Sequence, residues 1–195
     1  MTTVLSWSQL PDLPPAPGKD SQPGVAGAFV GVSNGVLLIA GGANFPEKPV
    51  WEKGVKVYYD DIFVLEKTAN GSLKWHMGFK LPRPLAYGVA ITTEHGVVCI
   101  GGEDGQQSYA DVFLMTWNPR TKQVEFESLP ALPQPVSSMA GAKINKTIYI
   151  AGGQENGQAS NRFRGLDLSR RKDDEFAWED QPDFPGPPRI QPVAA

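Results

Sequence analysis

Three times along the chain, a short run of apolar and β-branched residues stops on a pair of glycines. The runs are 36–40 before Gly41-Gly42, 97–100 before Gly101-Gly102, and 147–151 before Gly152-Gly153. Runs of this length and composition read as buried strands. The glycines let the backbone turn where a side chain would clash. A device that recurs three times marks a repeat protein, in which each unit buries its faces against copies of itself.

The rest of each cycle follows the same order. A strand of small residues precedes each run, at 24–32, 86–91 and 138–144, and turns at Asn34-Gly35, His95-Gly96 and Asn145-Lys146. Asn-Gly supplies the positive φ that a tight hairpin needs. After each glycine pair a loop leads to a third strand (59–65, 109–115, 162–168) and a fourth (73–77, 124–127, 176–179). The pairs lie 60 and then 51 residues apart. A period near 50 with four strands per cycle predicts an all-β fold, a kelch-type β-propeller with about three complete four-stranded blades. The whole chain, 1–195, then reads as a single partial propeller, with blade 1 at about 24–79, blade 2 at about 84–128 and blade 3 at about 136–180. Orphan strands are expected near 5–7 and 188–195. A ring of six blades would need roughly 300 residues at this period, so the chain reads as half of one. Both flanks would then expose apolar faces, to be covered by the remainder of a longer propeller chain or by a dimer of two halves. Trp75, Phe126 and Trp178 are expected at the wide rim or between blades.

Charge and motifs exclude several classes. A net charge of −3 leaves no basic field for nucleic acid, and the signs cancel within the one charged run, 170–175. No apolar stretch approaches the roughly 20 residues of a membrane span, so no membrane partner is expected. The N-terminus lacks the pattern of a secretory leader, which predicts a cytoplasmic protein, or a periplasmic one if a leader has been removed. The single cysteine, Cys99, lies mid-strand and is expected to be a buried, inert thiol. His76 and His95 have no ligand spacing, so no metal site is expected. The glycine pairs end strands without opening a helix, and no other phosphate-binding or nucleophile motif is present. No cofactor is expected.

Several stretches together are similar to one family. They are Gly41-Gly42-Ala43-Asn44-Phe45-Pro46, Tyr58-Tyr59-Asp60-Asp61-Ile62-Phe63-Val64-Leu65, Arg83-Pro84-Leu85-Ala86-Tyr87-Gly88 and Ile100-Gly101-Gly102-Glu103. They resemble the sialic acid mutarotases, also called N-acetylneuraminate epimerases, in a cyclically permuted branch, and the resemblance runs from Leu10 to Val193. It implies a six-bladed kelch propeller and an isomerase of carbohydrate metabolism. The implied substrate is a sialic acid-type sugar, N-acetylneuraminate, whose α and β anomers would be interconverted by acid–base ring opening. In the family, the acid–base glutamate directly follows a glycine-ended strand and has an arginine six residues on. Here Glu103 is followed at that spacing by Tyr109, and Gln154 by Ser160, so the full pair is expected beyond Ala195.

The candidate site residues follow. Glu103 occupies the loop register that the family's glutamate holds in another blade and is the catalytic candidate. Arg83, between two prolines at an inner-strand entrance, is a candidate to hold the substrate carboxylate, and Arg189 is read as its counterpart two cycles on. Asn44 and Phe45 open the long loop and are candidates to line the mouth. Tyr87 reads as core. The rival reading is a non-catalytic kelch module that binds a protein or glycan through its loops.

Overall fold

The computed structural model describes residues 5–15 and 20–194. It contains three four-stranded antiparallel sheets, each meandering outward in chain order. The first comprises Phe29–Ser33, Val36–Ala40, Asp61–Lys67 and Leu73–Lys80. The second comprises Val89–Thr93, Gly96–Ile100, Val112–Asn118 and Gln123–Leu129. The third comprises Ala140–Ile144, Thr147–Ala151, Phe163–Asp167 and Glu179–Gln181. The first strand of each sheet lies against the first strand of the next, so the sheets fan from a common edge. The chain is a partial β-propeller of three blades.

Both faces of a blade are apolar, and the core forms where faces meet. Phe29, Val36, Leu38, Ile62 and Val64 of the first blade pack on Val97, Cys99, Met115 and Trp117 of the second. Val98, Ile100, Val112 and Leu114, on the second blade's opposite face, pack on Ile148, Ile150 and Leu166 of the third. Each such side chain, once buried, contributes roughly 1.5–3 kcal/mol. Cys99 lies wholly inside the first cluster, where burial pushes its thiol pKa up, which accounts for an inert group. Where the spacing is tightest, only a small residue fits: a Cβ on Gly31 would stand 2.7 Å from Val97 Cγ2. The three aromatic residues take up rim positions. Trp178 is buried and donates to Pro130 O (2.9 Å), Trp75 meets Phe63 edge-on, and Phe126 meets Phe113.

The first two glycine pairs fasten one blade to the next, and the third holds the tail. The second glycine of each pair, Gly42, Gly102 or Gly153, donates to the carbonyl of Leu85, Val136 or Arg189 (2.9, 2.8 and 3.0 Å). A Cβ on the first glycine would meet that same oxygen, at 2.1 Å for Gly41, 2.4 Å for Gly101 and 2.9 Å for Gly152. Every glycine of the three pairs has a positive φ. A second ladder runs beside this one: Gln191 N–H donates to Ser138 O (2.7 Å), Ser138 N–H to Tyr87 O (2.7 Å), and Tyr87 N–H to Gly27 O (2.8 Å).

These ladders fix the repeat register and correct two sequence readings. Leu85, Val136 and Arg189 are one repeat position, so Arg189 is the counterpart of Leu85 and not of Arg83. No strand forms over 5–7 or 188–194. A strand exists only where a neighbour pairs with its backbone groups in register, and neither segment is paired in this way with a described strand. The tail is nonetheless docked, through Arg189 and Gln191, in the place an inner strand would enter. On the opposite flank Val30 and Val32 stand 47% and 46% exposed.

At the outer end, half-buried Glu66 of the first blade bonds Lys122 of the second (2.8 Å) and His76 of its own sheet (2.8 Å). Lys122, then His76, hold the Glu66 carboxyl below its ordinary pKa. A carboxylate with a lowered folded-state pKa stabilises above its unfolded value, near 4.3, and loses that contribution as pH falls through the folded value. Glu66→Gln is therefore expected to lower the unfolding free energy more at pH 7 than at pH 3, read from denaturant melts at both. For the glycine lock, Gly71 is the control, because its φ is +85° but a Cβ there would meet nothing within 4 Å. Gly71→Ala should cost about 1–2 kcal/mol from backbone strain alone. Gly101→Ala adds a collision with Val136 O and should cost roughly twice that or more in the same measurement.

Candidate functional site

At the end of the blades where the glycine pairs turn, short pairings extend the sheets toward the common edge. Ala43–Asn44 pairs with Val57–Tyr58, Val136–Ser137 with Gln154–Glu155, and Ala86 bridges to Glu103. The residue after each glycine pair is thereby Ala43, Glu103 or Gln154 at one repeat position. Only in the second blade is it ionisable.

Glu103 is half-buried and joins all three blades. Its Oε1 accepts from the Tyr58 hydroxyl of the first blade (2.9 Å), and its Oε2 from the Ser137 hydroxyl of the third (2.8 Å). Ser108 Oγ donates in turn to Ser137 (3.2 Å). Burial, then the hydrogen bond and charge of Glu103, push the Tyr58 phenol well above its ordinary pKa. The Glu103 loop is braced by Asp104, which accepts the N–H groups of Gln106 and Gln107 and the Tyr109 hydroxyl. The Tyr109 bond, then those backbone donors, lower the Asp104 pKa despite partial burial. Glu103 lies in a depression of about 300 Å³, lined also by Tyr58, Gln107, Ser108 and Gln154.

A second depression, of about 470 Å³, lies across the ridge formed by Tyr58 and Tyr87, whose rings meet edge-on with centroids 6.2 Å apart. Asn44, Phe45, Lys56 and Tyr87 line it. Asn44 is held rigidly, donating to Gly24 O (2.6 Å) and accepting from the Tyr59 hydroxyl (2.6 Å). Burial first raises the pKa of that Tyr59 phenol. Tyr87, expected in the core, is instead half-buried on this ridge, with a φ of 59°. Its ring covers Gly27, where a Cβ would lie 2.6 Å from Tyr87 Cδ1.

The two arginines lie apart from the Glu103 cluster. Arg83 forms an ion pair with Asp111 of the second blade (2.7 Å) and stacks on the Tyr109 ring, a bridge between blades. Arg189 lies over the Phe184 ring, and its guanidinium donates to the carbonyls of Pro185 and Pro187. Among the described residues, no group of three or more His, Cys, Asp or Glu is placed to hold a metal ion. Sequence reasoning missed Lys56, Tyr58 and Ser137. The signal for Ser137 was its register: it aligns with Ala26 and Ala86 at the inner entrance, and a hydroxyl there faces the residue after a glycine pair.

The Tyr58–Glu103 bond has a direct spectroscopic consequence. By tyrosine NMR titration, the resonance lost in Tyr58→Phe should ionise above the ordinary phenol range, near pH 10. Glu103→Gln should shift that titration downward, leaving the contribution of burial.

A family model described as N-acetylneuraminate epimerase matches residues 1–124, thus the first two blades but not the third, a shorter reach than the motif resemblance from Leu10 to Val193. An N-acetylneuraminate epimerase of Brucella melitensis biotype 1 is 35% identical over 129 residues, covering 61% of this chain and 32% of its own length. One of Vibrio cholerae serotype O1 is 38% identical over 128 residues, covering 60% and 32%. One of Salmonella enteritidis PT4 is 40% identical over 111 residues, covering 52% and 28%. The chain spans about a third of the length of the curated relatives it matches. A solved structure described as "Structure of YjhT" superposes with a TM-score of 0.64 at 13% identity, covering 85% of this chain and 55% of that one, a likeness of fold. With the match covering more than half of its residues, the chain belongs to the N-acetylneuraminate epimerase family.

Proposed function

We propose that this chain carries part of the site of a mutarotase that interconverts the α and β anomers of N-acetylneuraminate, on half of a six-bladed kelch-type ring. The blade units proposed for that ring are 24–79, 84–128 and 136–180. The observation that carries the reading is Glu103. In a chain of this family, it is the one ionisable residue among the three that directly follow a glycine pair, and hydroxyl donors from both neighbouring blades hold it in place. Anomer exchange needs a base to take the anomeric hydroxyl proton while the ring C–O bond breaks and the ring oxygen gains a proton. A positioned carboxylate suits the first task, and such acid–base help is typically worth 10²–10⁴-fold. Asn44 and Phe45 line the adjoining depression and would flank the sugar. Arg83 and Arg189, each engaged elsewhere, are left out of this reading.

The test is NMR of freshly dissolved α-anomer of N-acetylneuraminate, followed to equilibrium with and without the protein. Acceleration by the chain that falls 10²–10⁴-fold in Glu103→Gln is expected. Exchange no faster than in buffer, with the sugar still bound, would favour a non-catalytic kelch module that binds glycan.

A further inference from the structure

The substrate proposed above is a sugar acid, and its carboxylate sits on the reacting carbon. The two arginines that sequence reasoning favoured for that charge are committed to other partners. The inference that follows rests on the mutarotase reading for the identity of the sugar, but not for the site itself.

Lys56 is the cation that fits. Its Nζ lies 4.6 Å from the Tyr87 ring centroid, 5.7 Å from that of Tyr58 and 5.8 Å from that of Phe45. It also donates to the Tyr87 hydroxyl (2.9 Å). Lys56 is exposed, and the attraction of a cation to a ring at such a site is worth about 0.5–1 kcal/mol. The other cations that bond across blades or strands, Lys80, Arg83, Lys122, Arg164 and Arg171, each have a carboxylate partner. Among the described residues, Lys56 has no carboxylate within 4.0 Å. It is thus an exposed positive charge without a carboxylate partner on the wall of a depression. Two of its caging rings, Tyr58 and Tyr87, form the ridge that separates it from Glu103.

We propose that Lys56, caged by Phe45, Tyr58 and Tyr87, is the carboxylate anchor of this site, selecting sugar acids over neutral sugars. A lysine here acts as a point charge and not as a bidentate fork. The reacting carbon, one bond from that carboxylate, would then lie at the Tyr58–Tyr87 ridge with its hydroxyl toward Glu103, and the aromatic faces supply the apolar surface that a pyranose stacks upon.

Binding, not turnover, tests this. The wild-type chain, Lys56→Met and Lys56→Arg are titrated by NMR with N-acetylneuraminate and with its methyl ester, which keeps the ring and removes the charge. Folding of each variant is checked by its thermal melt. Wild type should bind the acid at least tenfold tighter than the ester. Lys56→Met should abolish that preference while leaving the ester's affinity within about twofold, and Lys56→Arg should restore most of the preference. Equal affinity of wild type for acid and ester, absence of binding to either, or a preference that survives in Lys56→Met would each overturn the proposal. Acid-selective, Lys56-dependent binding without accelerated anomer exchange would uphold the anchor while removing the mutarotase reading. Exchange that depends on Glu103 but not on Lys56 would do the reverse.

Discussion

One backbone hydrogen bond, made three times, organises this molecule. The N–H after a left-handed glycine reaches the carbonyl at the entrance of the next blade, and the preceding glycine has no Cβ because that carbonyl needs the space. Side-chain packing alone would let two apolar sheets slide over each other, since the hydrophobic effect has no direction. The glycine lock supplies a fixed register. It sets which residues of neighbouring blades meet, from Gly31 against Val97 near the inner edge to Glu66 against Lys122 at the rim.

The same lock builds the candidate site. Because the chain must turn at each glycine pair, the next residue always arrives at the hub, beside the inner entrances of its own blade and the following one. Alanine in the first blade, glutamate in the second and glutamine in the third make a series of equivalent places with unequal chemistry. Chemistry thus varies by substitution at a position whose geometry the fold fixes. Glu103 draws Tyr58 from one side and Ser137 from the other because neighbouring blades present those positions to it.

That division explains what could be read from residues alone. The glycine-ended runs and their period fix strand count and blade order, because each depends on local composition and spacing. The place of Glu103 directly after a glycine pair was legible as well, since it follows from the motif. Arg83 and Arg189 were not. Both follow a proline near a cycle boundary, and counting from the prolines aligns them, but the hydrogen bonds count from the glycine locks and offset them by two residues. Tyr87 looked like core because aromatic residues usually are. Its positive φ and its place in the second ladder, neither visible in composition, turn it onto the ridge. Lys56 and Tyr58 depend on a long loop folding back to the hub, a tertiary event without a local signature.

The register also constrains how the open flanks can be covered. Arg189 and Gln191 already occupy the hydrogen-bonding places that Leu85 and Tyr87, or Val136 and Ser138, hold between complete blades. A second copy docked to continue the ring would bring its own equivalents of these positions, Val25 and Gly27, to the acceptors and donors of Gly153 and Ser138. Both segments cannot bond there at once. Closure by two copies would therefore require residues 189–193 to leave. A following blade that is entered through Arg189 and Gln191 themselves would need no such displacement, because the entrance to its first strand is already seated.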